Sequence, residues 1–195
     1  IPSSEVIKLL FLYDTCDSFH SNLYVLKGEK MELGFVSSIL DHESYETMID
    51  LASDMGFSCV EVACWPSGKA ERRYAGVTHI DCEKVLADDL YSDHIIKYAA
   101  DRNIHISSLA FYPNTLDPDI RKRGNSVAHL ENVIRASRKL GVGMVTTFIG
   151  RDQGKTVEDN LDIVKIVWPS IITLAEQLNV KIAIENCPML FGPDQ

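Results

Sequence analysis

No stretch of this 195-residue sequence approaches the run of about 20 apolar residues that a bilayer-crossing helix needs, so nothing in it reads as a membrane span. The apolar segment from Val6 to Tyr13 is short. It lacks both a basic flank and a small-residue cleavage site, which sets aside a signal peptide. The five cysteines (Cys16, Cys59, Cys64, Cys82 and Cys187) form no CxxC pair and leave one unmatched. Free thiols in a reducing compartment, packed as small apolar residues, are expected rather than a disulfide framework. Positive charge is also scarce: 19 Lys and Arg against 28 Asp and Glu give a net charge of −9, which repels a phosphate backbone and argues against nucleic acid as a partner. These features together lead us to expect a cytoplasmic protein.

What is present is alternation. Met31 opens a strand running to about Ser38, and Tyr45, Met48, Ile49, Ala52 and Met55 then follow helical spacing, with Gly56 as the stop. Further strands are expected at Cys59–Trp65, Ile104–Tyr112, Met144–Ile149 and Lys181–Cys187. Helical segments between them cover about Glu83 to Asp101, with a break near Asp88, and Ser126 to Leu140. The last runs from a capping box at Thr156 and Asp159 to Leu178, with Pro169 expected to kink it.

A β-α-β-α-β-α-β-α-β order with long helical connections predicts an α/β protein with a parallel sheet. The turn after the first strand reads Ser38-Ile39-Leu40-Asp41-His42, with no GxGxxG or GxxxxGK[ST], and so disfavours a doubly wound nucleotide-binding sheet. The expected fold is therefore a partial (βα)8 TIM barrel, about (βα)4-β5. Its strands run in sequential order over residues 31–195, and residues 1–30 form an extension outside it. A chain of 195 residues is shorter than the roughly 250 of a complete barrel.

In such a barrel the chemistry lies at the carboxyl ends of the strands. Alternation sends Ile182 and Ile184 toward the helices and Glu185 into the barrel. The same reasoning sends Val60 and Val62 outward and Glu61 inward. An unpaired inward carboxylate is costly, so each needs a partner. A divalent metal ion is expected at Glu185, at the strand end, and an ion pair or hydrogen bond at the deeper Glu61. Candidate substrate contacts are Glu61, Trp65, Asn114, Arg151 and Asn186. His42 and His79 fall in loops and are expected to be solvated, His94 and His129 at the surface of helices, and His105 in a structural role. Arg72 and Arg73 are either a solvated pair or the cation a sugar phosphate needs.

The segments Gly56-Phe57-Ser58-Cys59-Val60-Glu61-Val62, Ile106-Ser107-Ser108-Leu109-Ala110-Phe111-Tyr112-Pro113-Asn114 and Val180-Lys181-Ile182-Ala183-Ile184-Glu185-Asn186 resemble the xylose isomerase-like TIM barrels. Within them, the chain is most similar to the sugar phosphate isomerase/epimerase group. The resemblance implies that Glu185 ligates a divalent metal (Mn, Mg, Co or Zn) and takes part in proton transfer, the other ligands coming from later strands. It departs at Phe191, where ketose epimerases carry a substrate-contacting Glu, which weighs against a ketose 3-epimerase.

The expected activity is isomerisation or epimerisation of a sugar, sugar phosphate or cyclic polyol through an enediolate. The alternatives are an apurinic-site endonuclease-like metal hydrolase, or an inactive truncated barrel acting only by association. An incomplete barrel exposes apolar surface and strand edges, so a homo-oligomer is expected.

Overall fold

Local sequence sets each helix. The structure is a computed structural model that describes residues 32–66 and 76–185. The expected extension 1–30, Arg72, Arg73, Asn186, Cys187 and Phe191 lie outside the described residues. Helix α1 (Tyr45–Asp54) starts where Ser44 accepts a hydrogen bond from the Thr47 amide at 3.1 Å, and it buries Tyr45, Met48, Ile49 and Ala52. Met55, expected on that face, lies past the helix end and is 70% exposed. The break expected near Asp88 is real. Asp88 ends α2 (Cys82–Ala87) in an extended conformation, and its side chain caps α3 (Asp89–Ala100) through the Leu90 and Tyr91 amides.

Helix α4 (Ile120–Leu140) begins six residues ahead of the expected Ser126, because Asp119 caps it through the Arg121 and Lys122 amides. Its first turns are exposed, with Ile120 at 75%, and so carry no apolar stripe for periodicity to detect. Gly141 ends it at φ 72°, a left-handed cap that a side chain would strain. Helix α5 (Val157–Leu178) opens on the expected Thr156/Asp159 capping box and runs unbroken through Pro169.

The strands are β1 (Gly34–Val36), β2 (Cys59–Ala63), β3 (His105–Ala110), β4 (Met144–Thr147) and β5 (Lys181–Ile184). They form one parallel sheet in the order β1-β2-β3-β4-β5, as the barrel reading requires and a doubly wound sheet does not. β1 is shorter than expected, since Ser37–Leu40 coil into a 3-10 turn.

One face of the sheet packs on the helices. Val60, Val62, Leu109 and Val145 are fully buried there against Met48, Ile49, Val85, Ile95, Leu130, Ile134 and Ile171. A one-residue slip would reverse every strand, so this apolar set fixes the faces. β3 keeps its alternation only through a bulge. Val60 pairs with Ile106, but Glu61 pairs with Ser108, so Ser107 is the extra residue. The bulge leaves Leu109 beside Val62 on the helix side and turns Ser108 to the other face beside Glu61.

Candidate active site

The face opposite the helices carries the candidate chemistry. The register places Ala63, Ala110, Thr146 and Ala183 in one row of small side chains across β2 to β5. Glu61 and Ser108 lie one row toward the amino ends, and Tyr112 and Glu185 lie beyond it at the carboxyl ends. The row of small residues gives the Tyr112 side chain room to reach back.

Its hydroxyl contacts Glu61 Oε1 at 2.5 Å and Glu185 Oε1 at 3.0 Å. Ser108 Oγ donates to the other oxygen of Glu61 at 2.9 Å and lies 3.4 Å from Thr146 Oγ1. The Tyr112 ring packs on Phe148, with centroids 4.5 Å apart. A single polar chain thus joins β2 through β5: Glu61, Ser108, Tyr112, Thr146 and Glu185. Burial, followed by the negative charge of Glu61 and its hydrogen bond, drives the Tyr112 phenol well above its ordinary value, so it stays a neutral donor.

The two carboxylates share one hydroxyl oxygen, yet none of the ion pairs among the described residues involves either of them. Two like unit charges brought to one hydroxyl oxygen repel by roughly a few kcal/mol at the effective dielectric near a protein surface. A cation there would relieve that repulsion, so the charge and hard oxygen donors of the site suit a divalent ion. The ligand count is incomplete: among the described residues no group of three or more His, Cys, Asp or Glu side chains comes together. Glu185 is exposed at the strand mouth and able to ligate, while Glu61 already accepts a hydrogen bond on each oxygen.

The other expected contacts sit apart from this chain of groups. Asn114 spends its amide on backbone, donating from Nδ2 to Arg151 O at 2.9 Å and accepting from Leu116 N at Oδ1. It belongs to a rigid join between the loops after β3 and β4. Thr115 donates to Ile149 O from both N and Oγ1, and Trp168 of α5 donates to Thr115 Oγ1. Buried Asn160 clamps the next residue, accepting from Asp152 N at 2.8 Å and donating to Asp152 O at 3.0 Å. Gly150 turns this loop at φ 85°, and a Cβ there would lie 2.0 Å from Asn114 Oδ1. Arg151 follows with its backbone fixed and its buried Nε without a partner. The Trp65 ring meets Phe111 edge-on at 5.0 Å, and Phe111 in turn meets His129 of α4 at 4.7 Å.

Several histidine expectations change. His79, expected in a solvated loop, is 5% exposed: its Nδ1 is 3.0 Å from Ser37 Oγ and its Nε2 3.2 Å from Leu40 O. Leu40 O can only accept, so Nε2 carries a proton, and in the neutral ring Nδ1 accepts from the Ser37 hydroxyl while Ser37 Oγ accepts from Ala63 N at 2.8 Å. Burial holds His79 below its usual value, in line with that state. His129, expected at the surface, is half-buried and donates to Cys64 O at 2.8 Å, a carbonyl just past β2. His94 and His105 are exposed partners of Glu46 and Glu32. The described thiols Cys59, Cys64 and Cys82 are free, as expected.

Tyr112 was not among the expected site residues. Alternation counted through β3 without its bulge gives no reason to place Tyr112 on the same face as Glu61, so the usable signal was the bulge itself.

A sequence profile described as "Xylose isomerase-like TIM barrel" matches residues 49–193. Among solved structures, 3-keto-D-glucoside 4-epimerase YcjR from E. coli aligns with a TM-score of 0.61 at 11% identity, covering 83% of this chain and 58% of that one. IolI, solved with a zinc atom bound, aligns at 0.57 and 18% identity, covering 79% and 51%. D-psicose 3-epimerase from Clostridium cellulolyticum H10, solved with D-tagatose, aligns at 0.52 and 18%, covering 78% and 51%. At these identities the likeness is one of fold, and the chain spans about half the length of the structures it matches. No curated protein matches the sequence.

Proposed function

Because the chain belongs to the xylose isomerase-like TIM barrel family, we propose that Glu185 and Glu61 serve a sugar isomerase or epimerase dependent on a divalent metal, Mn, Mg, Co or Zn. Its substrate is a sugar, sugar phosphate or cyclic polyol. The observation that carries this reading is the pair of carboxylates at one tyrosine hydroxyl, on the interior face of the sheet, without a basic partner among the described residues. Such a pair suits a site that gathers a cation and moves a proton, and it has little value as a structural device.

Glu185, at the mouth, holds the ion and takes part in proton transfer to and from the substrate carbon. When bound, the ion supplies polarisation of adjacent carbonyl and hydroxyl oxygens, which acidifies the C–H between them. Glu61 keeps the Tyr112 hydroxyl directed into the barrel and adds negative charge beneath Glu185. The loop from Ile149 to Asp152 holds Arg151 on a fixed backbone, where its guanidinium is available to a substrate oxygen or phosphate.

The test is deuterium uptake. Purified protein supplied with Mn2+ or Zn2+ is incubated in D2O with ketoses, their phosphates and cyclic polyol ketones, and NMR follows loss of the proton beside the carbonyl. We expect uptake from one of these classes, abolished by chelation and by Glu185→Gln, with metal content falling in that variant. Full metal content and full exchange in Glu185→Gln would make the carboxylate merely structural. No exchange from any class would remove the proposed activity.

A further inference from the structure

We infer that Tyr112 is a positioning residue that fixes Glu185 for cation binding, with Glu61 as the anchor holding Tyr112. The inference rests on the functional reading above and adds how that site is held. Glu185 needs such a support. It follows the last residue of β5, its side chain is exposed, and among the described residues its one backbone hydrogen bond is from its N–H to Thr147 O at 3.0 Å. A glutamate has three side-chain torsions, and ordering a long side chain costs up to about 2 kcal/mol. Among the described residues, the one side-chain hydrogen bond to this carboxylate is from the Tyr112 hydroxyl, at Oε1. Oε2 is left as the oxygen to present.

The support is itself built from below. A phenol has one proton, and Tyr112 shares it between the two acceptors as a three-centre bond, the shorter arm to Glu61 Oε1 at 2.5 Å and the longer to Glu185 Oε1 at 3.0 Å. Glu61 is held in turn at Oε2 by Ser108, which faces the interior only because the bulge at Ser107 turns it there. Phe148 packs on the phenol ring and keeps it from swinging away. Partners of this kind, one step removed from a metal, typically change metal affinity by about 10–100-fold when lost. This arrangement gives Glu61 a role other than the substrate contact expected from sequence: it acts through Tyr112.

The experiment measures Mn2+ and Zn2+ affinity by calorimetry without substrate, so it does not depend on activity. Tyr112→Phe removes only the hydroxyl and keeps the ring on Phe148, and it should weaken binding by at least tenfold. Glu61→Gln should weaken binding less. The double variant, in which the carboxylate stranded by losing the phenol is also neutralised, should bind no more weakly than Tyr112→Phe. If Tyr112→Phe alone does not fold, the double variant should still bind at least fivefold more weakly than Glu61→Gln. Wild-type protein that binds neither ion overturns both the functional reading and this inference. Wild-type binding matched by Tyr112→Phe, or losses that simply multiply in the double variant, overturns the positioning role and leaves the functional reading standing.

Discussion

Asn160 offers the sharpest test of how the strand-end loops are held. It is fully buried and makes three hydrogen bonds: it accepts from Asp152 N at 2.8 Å and donates to Asp152 O at 3.0 Å and to Thr156 O at 2.7 Å. The two carbonyls have second donors, the amides of Lys155 and Asn160 itself. The Asp152 N–H has no other partner among the described residues. Asn160→Leu keeps the branched skeleton, with somewhat bulkier methyl groups, and removes the polarity. It leaves one buried N–H unpaired, at a cost of about 1–3 kcal/mol, and forfeits two ordinary bonds of about 0.5–1.5 kcal/mol each. Some of this is offset by the added apolar burial, so we expect a net loss of about 2–4 kcal/mol. For a chain of this size that lowers Tm by roughly 5–15 °C.

Asn160→Asp separates the donor from the acceptor. It keeps an oxygen for the Asp152 amide but turns the other oxygen toward two carbonyls, which favours the protonated acid. Its folded pKa would rise above the unfolded value, so its stability should be highest in acid and fall as pH rises from about 4. Urea unfolding followed by circular dichroism at several pH values measures both effects. An Asn160→Leu variant within about 0.5 kcal/mol of wild type would refute the clamp, as would an Asn160→Asp variant insensitive to pH.

Further outcomes follow from the same geometry. Gly150→Ala should cost at least about 2 kcal/mol, since φ of 85° disfavours a side chain and the new Cβ meets Asn114; an unchanged urea midpoint would contradict this. Burial depresses the His79 pKa, so the unfolded chain takes up a proton below about pH 6.5 that the folded chain resists, and stability is lost as pH falls through that value. The stability advantage of wild type over His79→Gln should therefore shrink between pH 7.5 and 5.5; a constant or growing advantage would mean the imidazole is not held neutral. Glu185→Gln should leave the thermal midpoint near wild type while metal uptake falls, because Ile182 and Ile184, which pack on the core, are untouched.

The reach of the sequence can be traced residue by residue. The pattern Val60-Glu61-Val62 assigns two faces to β2, and the structure keeps them: both valines are fully buried against the helices and Glu61 is on the other side. The capping box at Thr156, the break at Asp88 and the glycine stop at Gly141 are local signals whose partners lie within a few residues, so they read correctly without the fold. Asn114 and His79 show the limit. Each is polar and near a strand end, and residue type alone makes each look like a substrate contact or a solvated loop residue. The structure commits one to Arg151 and Leu116, and the other to Ser37 and Leu40, partners up to 42 residues away.

The sequence by itself determined the parallel β/α order, the inward carboxylates and the absence of a nucleotide-binding turn, because these rest on hydrophobic period and short-range backbone chemistry. Only the tertiary structure decided that Glu61 on β2 and Glu185 just past β5, three strands away in the sheet order, meet at one phenolic oxygen. That meeting depends on strand register, on a one-residue bulge in β3 and on the reach of a side chain over a row of alanines and a threonine. Each is set by packing between segments distant in the chain, where no local pattern can record it.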